Sequence, residues 1–232
     1  MPKQVDHDDR RRELAEAAFR VVARTGVDGA SLRLVSQEAG WSIGSMRHYF
    51  ATRSELLAFA LRHAAHRIED RIAALPAEHT PLEHLREVAA ELLPLDAARR
   101  EEAQVYVAFL ARATVAPDLA PMAGETWRRL HEPLVRHVAA AIRSGELAGD
   151  LDPEREASRL HALIDGLTLH VLTAPGNAPP ELARAAVEDH LTALQATAGR
   201  HPSRRRRRRA QTTERLHEVP GTSLTPPATR RT

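Results

Sequence analysis

The tightest constraint on how this chain can fold is the helix punctuation between Ser31 and Leu57, SLRLVSQEAGWSIGSMRHYFATRSELL. Ser31 is a helix-capping residue type, and Leu32, Val35 and Ala39 follow at i, i+3 and i+7, on one face of a first helix. Gly40 breaks that helix, Trp41 fills the corner, and Ser42 caps a second helix that runs only to about Phe50 before Ala51 and Thr52 introduce a third. Two short helices joined by a glycine-containing turn form a helix-turn-helix, the geometry that places a second helix in the major groove of DNA.

Within the second helix the residues divide by face. Met46 and Phe50 lie four apart and point inward, whereas Ile43, Gly44, Arg47 and His48 share another face that carries no core. Arg47 can donate two hydrogen bonds to a guanine edge, Ile43 can touch a thymine methyl, and Gly44 lets the backbone come close to the duplex. Ser42, Ser45 and Tyr49 carry hydroxyls suited to phosphate oxygens, and Ser31, Arg33 and Arg53 complete the set of expected DNA-binding residues. The same pattern also fits an ordinary short helix with a solvated Arg-His face.

The run GWSIGSMRHYF from Gly40 to Phe50 resembles the recognition-helix signature of the TetR family of bacterial transcriptional regulators, and Ser31 to Ala39 is similar to the helix preceding it. The resemblance implies a DNA-binding regulator, with Arg53 where family members commonly carry a phosphate-contacting lysine. Two positions depart from the family pattern: Arg47 stands where tyrosine is frequent and Ser36 where alanine is. The base preference of tyrosine-bearing relatives therefore does not transfer. Further along, VYVAFLARATVAPDL, ETWRRLHEPLVRHV and SGELAGDLDPEREASRLHALIDGLTLHVL are similar to the C-terminal domain of the choline-sensing, BetI-like branch of that family. Effector helices diverge widely, so membership of the branch does not imply choline as the ligand.

The 232 residues allow one or two domains, and the scarcity of aromatics (3%) beside abundant alanine, leucine and arginine favours helices over strands. The expected fold is all-α: an N-terminal three-helix HTH DNA-binding domain over residues 1–52, a helical effector-binding and dimerisation domain over 53–197, and a disordered Arg-rich tail over 198–232. With no cysteine, disulfides, thiolate metal sites and thiol catalysis are excluded. The N-terminus lacks an apolar signal core and no later run reaches membrane-spanning length, so the expectation is a cytoplasmic protein with no membrane partner.

Net charge misleads here unless it is divided along the chain. Residues 199–232 hold ten arginines against Glu214 and Glu218; taking these from the totals of 33 bases and 31 acids leaves residues 1–198 with 23 and 29, a net charge of −6. The basic character belongs to the tail, and any nucleic-acid argument must rest on local charge at Arg10, Arg11, Arg12, Arg33, Arg47 and Arg53. Arg204 to Arg209 reads either as an electrostatic clamp on a polyanion or as a dispensable extension.

The remaining helices are delimited by their own signals. Asp8 or Asp9 starts a first helix to about Thr25; Ser54 to about Leu75 is a long connector; Thr80-Pro81 and Asp96 open two more, the second running to about Val115. Gly124 to Ser144, Pro153 to Thr173 and Pro180 to Ala196 follow. Leu160, Leu163, Ile164, Leu167 and Val171 make one apolar stripe, and Leu182, Ala186, Val187, Leu191 and Leu194 another. Two stripes per subunit can close a four-helix bundle, so Leu160, Ile164, Leu167, Val171, Val187, Leu191 and Leu194 are the expected homodimer interface. The same periodicity also fits completion of the protomer's own core, and periodicity alone does not choose.

Tyr106, Phe109, Trp127 and His131, with Asp165, are the expected contacts for an unidentified small-molecule effector, cationic or flat and apolar. Each ring taken singly also fits simple core packing. His63, His66 and Asp70, and likewise His161 and Asp165, have same-face spacing but also fit solvated polar pairs, so no metal or other cofactor is expected. No phosphate-cradling loop, dinucleotide fingerprint or nucleophile elbow is present, and the chain reads as a regulator acting on double-stranded operator DNA rather than an enzyme. A helical enzyme or a protein-interaction module without specific DNA binding is the competing class.

Overall fold

A computed structural model describes the backbone of residues 2–198 and the side chains of residues 9–195. The Arg-rich tail and its proposed clamp lie outside the described residues. Those residues form nine helices and no strand: α1 Pro2–Gly29, α2 Leu32–Ala39, α3 Ile43–Tyr49, α4 Arg53–Ala73, α5 Pro81–Glu91, α6 Ala97–Ala113, α7 Ala120–Ser144, α8 Pro153–Thr173 and α9 Pro180–Ala198.

Cap chemistry sets most of these limits. Ser31, Ser42, Asp96 and Asp152 each accept a hydrogen bond from the backbone N–H three residues on, relieving one orphan donor of the following helix. Thr52 with Glu55 and Thr80 with Glu83 form capping boxes, so α4 begins with Thr52 as its cap and not at Ser54. Two further helices differ from expectation in their limits. The first helix runs from Pro2 through Gly29 with a break at Gly26 (φ 69°), and α7 starts at Ala120, because Pro121 is accommodated in the first turn, where no N–H is needed.

Two buried clusters hold the helices. In the first, Leu14, Phe19 and Val22 of α1 meet Val35 of α2, Met46 of α3, and Leu57 and Leu61 of α4, together with Val105 and Phe109 of α6. The core beneath the HTH therefore extends well past residue 52, into the connector helix and α6. The second cluster joins Leu82 and Leu85 of α5, Leu134 and Val138 of α7, Leu160 and Ile164 of α8, and Val187 and Leu191 of α9.

This second cluster contains the residues of the expected dimer interface. Leu160, Ile164, Leu167, Val171, Val187 and Leu191 are all buried within one protomer, and Leu194 is half-buried against them. The stripes exist, and within the protomer they pack against α5 and α7, the second of the two roles that the periodicity allows. The faces α8 and α9 turn outward carry Leu169 and Leu182 instead, 45% and 48% exposed.

Candidate nucleic-acid interface and effector cavity

The reading head is built by burying one side of a seven-residue helix and leaving the other bare. Met46 is fully buried and Phe50 nearly so, whereas Ile43, Gly44, Ser45, Arg47 and His48 are exposed. Gly40 adopts φ 68°, which lets the Trp41 N–H reach back to the Ser36 carbonyl at 2.8 Å and close α2. Trp41 then packs edge-on against Tyr49, ring centroids 5.6 Å apart, bracing α3 at its C-terminal end. Ser36, the departure from alanine, is buried but satisfied, its hydroxyl donating to the Arg33 carbonyl at 2.8 Å. Arg20 and Arg24 of α1 both bond Glu38, which holds that carboxylate below its ordinary range and ties α1 to α2.

The DNA-facing candidates differ in how far the fold already engages them. Ser31 and Ser42 use an oxygen lone pair to accept from the backbone and still carry a hydroxyl proton, although one is shared in the Ser42–Ser45 contact at 2.9 Å. Arg33 is exposed, and Arg47 makes no ion pair among the described residues. A Cβ built on Gly44 would come no closer than 3.8 Å to any neighbour, the Ser42 hydroxyl, so nothing inside the protein requires glycine there. Arg53 is partly committed: it donates to the Val27 carbonyl at 2.5 Å, fixing the start of α4 against the end of α1. That long-range tie has no signal in the sequence.

Behind the head, α4 forms one wall of a small cavity that opens to solvent. Leu61, Ala64, Ala65 and Ile68 supply the α4 wall; Tyr106 of α6, Thr126 of α7, and His161, Asp165 and Thr168 of α8 supply polar groups opposite. Of the expected contacts, Tyr106 and Asp165 line it. Phe109 does not, being buried in the first core, and Trp127 lies 41% exposed outside it. His131 is also outside, in a near-parallel cluster with Trp127 (4.3 Å) and His161 (5.4 Å), which themselves lie 5.5 Å apart. The rings found one another as helical neighbours, and only His161 carries the stack to the cavity.

The electrostatics of the cavity follow from burial. The His131 and His161 Nδ1 atoms sit 3.3 Å apart, so one must donate to the other, and burial together with His131 lowers the His161 pKa to about 4. The imidazole is thus neutral at pH 7, and the 3.9 Å approach of its Nε2 to Asp165 is no ion pair. Burial pushes Asp165 up to about 6, a shift partly offset by weak donation from Tyr106, whose own pKa is raised by burial and by that carboxylate. The Tyr106 and Thr168 hydroxyls are nonetheless buried without a hydrogen bond of full geometry.

At the far end Glu102, only 2% exposed, receives a forked pair of hydrogen bonds from Arg71 (2.9 and 2.6 Å) and a third contact from Arg67 (2.9 Å). Arg71 also reaches Glu91 at 2.6 Å, and these bonds, that with Glu102 first, raise its pKa. Arg129 of α7 forks onto Glu69 of α4, and Ser54 donates to Asp118 at 2.6 Å. The connector helix is therefore pinned by charge along its length, a network that sequence reading missed because its members lie up to 64 residues apart. His63 and His66 also take protein partners, Glu16 and Glu69.

A short helix with a bare Arg-bearing face, set by a glycine turn onto a helical body, defines a helix-turn-helix DNA-binding regulator. Residues 14–59 match the bacterial regulatory proteins of the tetR family, and residues 81–196 match the C-terminal domain of BetI-type transcriptional repressors. The chain is 33% identical over 208 residues to the HTH-type transcriptional regulator PksA of Bacillus subtilis, covering 87% of this chain and all of that one. It is 30% identical over 203 residues to the regulator BetI of Burkholderia cenocepacia, covering 85% and 100%. Among solved structures, a transcriptional regulator from Rhodococcus superposes with a TM-score of 0.70 at 33% identity, over 81% of this chain and 96% of its own. One from Saccharomonospora viridis, in complex with choline, gives 0.72 at 25% identity, over 80% and 96%. The protein belongs to the TetR family of bacterial transcriptional regulators.

Proposed function

We propose that the chain is a cytoplasmic, ligand-responsive repressor, without enzymatic activity, that binds a palindromic operator as a homodimer. The observation that carries this is the bare face of α3: Met46 and Phe50 anchor the helix, and Ile43, Gly44, Arg47 and His48 are exposed, His48 touching only the edge of the neighbouring Tyr49 ring among the ring contacts of the described residues. Arg47 reads a base edge, Ile43 touches a methyl group, and Ser31, Arg33, Ser42, Ser45, Tyr49 and Arg53 position the head on phosphates. Two heads on one two-fold axis set the half-site spacing. The outward faces of α8 and α9, with Leu169 and Leu182 exposed, supply the dimer contact.

The cavity between α4 and α8 is the effector site, a reading supported by the choline complex of the Saccharomonospora viridis neighbour. An effector acts by binding more tightly to the form with low operator affinity. Footprinting on the DNA upstream of its own gene, followed by gel shifts with the Arg47→Ala variant, tests the DNA half. Arg47→Ala is expected to cost about 1 to 3 kcal/mol on the operator and little on random DNA; equal losses on both would refute base reading by Arg47.

A further inference from the structure

The cavity presents an unusual combination of groups. Asp165 is a carboxylate without an arginine or lysine partner among the described residues, and the one imidazole within 4 Å of it, that of His161, is neutral at pH 7. Three residues further on, one turn away on the same helix, Thr168 is 3% exposed and its hydroxyl has no hydrogen-bond partner. The Tyr106 hydroxyl, from the facing helix, is the second buried group left unsatisfied. The opposite wall, from Leu61 to Ile68, is aliphatic. Unpaired buried polar groups are costly, and two such hydroxyls beside a half-buried carboxylate with no cationic partner call for a ligand that satisfies them.

We infer that the effector presents a protonated amine bearing N–H donors to Asp165, Thr168 and Tyr106, and lays a small aliphatic body against α4. This rests on reading the cavity as the effector site. The charge of Asp165 calls for a cation, since Arg67, Arg71 and Arg99 are engaged with Glu102, Glu91 and Asp96 at the far end and do not neutralise it. The two hydroxyls then distinguish between kinds of cation. A primary ammonium group offers three N–H bonds, enough for a carboxylate and two hydroxyl oxygens. A quaternary ammonium offers none, and it is recognised by a cage of aromatic faces. Here the cavity has no such cage: Tyr106 and His161 are the only rings in its wall, with Phe109 and Trp127 placed elsewhere. The ligand class therefore differs from that of the choline-bound neighbour.

The test uses the full-length protein and three matched probes, hexylamine, hexyltrimethylammonium and hexanol, titrated by calorimetry at pH 7.5. Hexylamine is expected to bind at least about ten-fold more tightly than either of the others, as befits a charge-assisted hydrogen bond in a buried site. Asp165→Asn is expected to remove that preference, and Thr168→Val to weaken hexylamine by a few fold while leaving hexanol unchanged. Thermal melts and operator gel shifts of both variants establish that they fold, and Thr168→Val decides the matter if Asp165→Asn does not. Equal binding of the three probes, tighter binding of hexyltrimethylammonium, no binding of hexylamine, or full hexylamine affinity in Asp165→Asn would overturn the proposal. Adding operator DNA to the same titrations separates the two readings: hexylamine binding at Asp165 with no release of DNA supports the amine site and refutes its role as the effector site.

Discussion

Glu102→Gln is the substitution whose effect the structure fixes most closely. The carboxylate is buried and accepts the fork from Arg71 and the contact from Arg67, at 2.6 to 2.9 Å. Glutamine keeps the shape but removes the charge and turns an NH₂ toward two guanidinium groups. Removing one partner of a buried ion pair costs about 3 to 5 kcal/mol, because the remaining charges are left uncompensated. Arg67 and Arg71 are 31% and 33% exposed and can recover some hydration, which places the loss near the lower end, about 3 kcal/mol. For a chain of this size 1 kcal/mol moves Tm by about 2 to 4 °C, so the midpoint should fall by about 6 to 12 °C. Circular dichroism melts at pH 7.5 measure it, with Glu69→Gln as the comparison. Glu69 is 35% exposed and pairs with Arg129, and its loss should cost about 1 kcal/mol. A shift below about 2 °C for Glu102→Gln, or one no larger than that of Glu69→Gln, would refute the reasoning.

Three further outcomes follow from the geometry. Asp165 titrates near 6 in the folded protein against an ordinary 3.8, so the native state holds its proton more tightly, and stability declines as pH rises from about 4 to about 6. The full shift would be worth about 3 kcal/mol, but the side chain is 38% exposed; Asp165→Asn should stabilise by about 1 kcal/mol at pH 7.5 and by nothing at pH 4, and a gain of the same size at both pH values would contradict it. Gly44→Ala meets only the Ser42 hydroxyl, at an ordinary contact distance of 3.8 Å, and should stabilise the fold by up to roughly 1 kcal/mol, the difference between the two residues in a helix, while weakening operator binding in a gel shift; unchanged binding would show that the glycine does not serve close approach to DNA. Glutamate at both Leu169 and Leu182 should yield monomers in analytical ultracentrifugation with helicity intact, and a persisting dimer would place the interface elsewhere.

What could be read in the sequence, and what could not, divides by the range of the interactions. Ser31, Ser42, Thr80 and Asp96 act on a backbone N–H three residues away, so their helices were legible to within a residue or two. The inward pair Met46 and Phe50 was legible for the same reason, since four residues make one turn. The stripes on α8 and α9 are legible as apolar faces, but period 3.6 does not say what covers such a face, and within the protomer α5 and α7 pack against it. Of the cavity, Tyr106 and Asp165 were anticipated, whereas Glu102, Thr168 and the His131–His161 contact depend on helices that meet only in the folded chain. Aromatic content was a poor guide, since Phe109 served the core and Trp127 the surface.

The pinning of α4 has a mechanical consequence. Arg71 is clamped to Glu102 and Glu91, Ala64 faces the cavity, and Arg53, fastened to the end of α1, starts the helix that follows the reading head in the chain. At 1.5 Å per residue, Ala64 stands about 10 Å from the clamp and Arg53 about 27 Å from it. A rod pivoting at Arg71 would multiply a displacement at Ala64 about two and a half times by the time it reaches Arg53. A ligand needing an extra 1 Å of width would then shift each head by about 2.5 Å, and two heads moving oppositely would change their separation by about 5 Å, more than the rise of one DNA base pair.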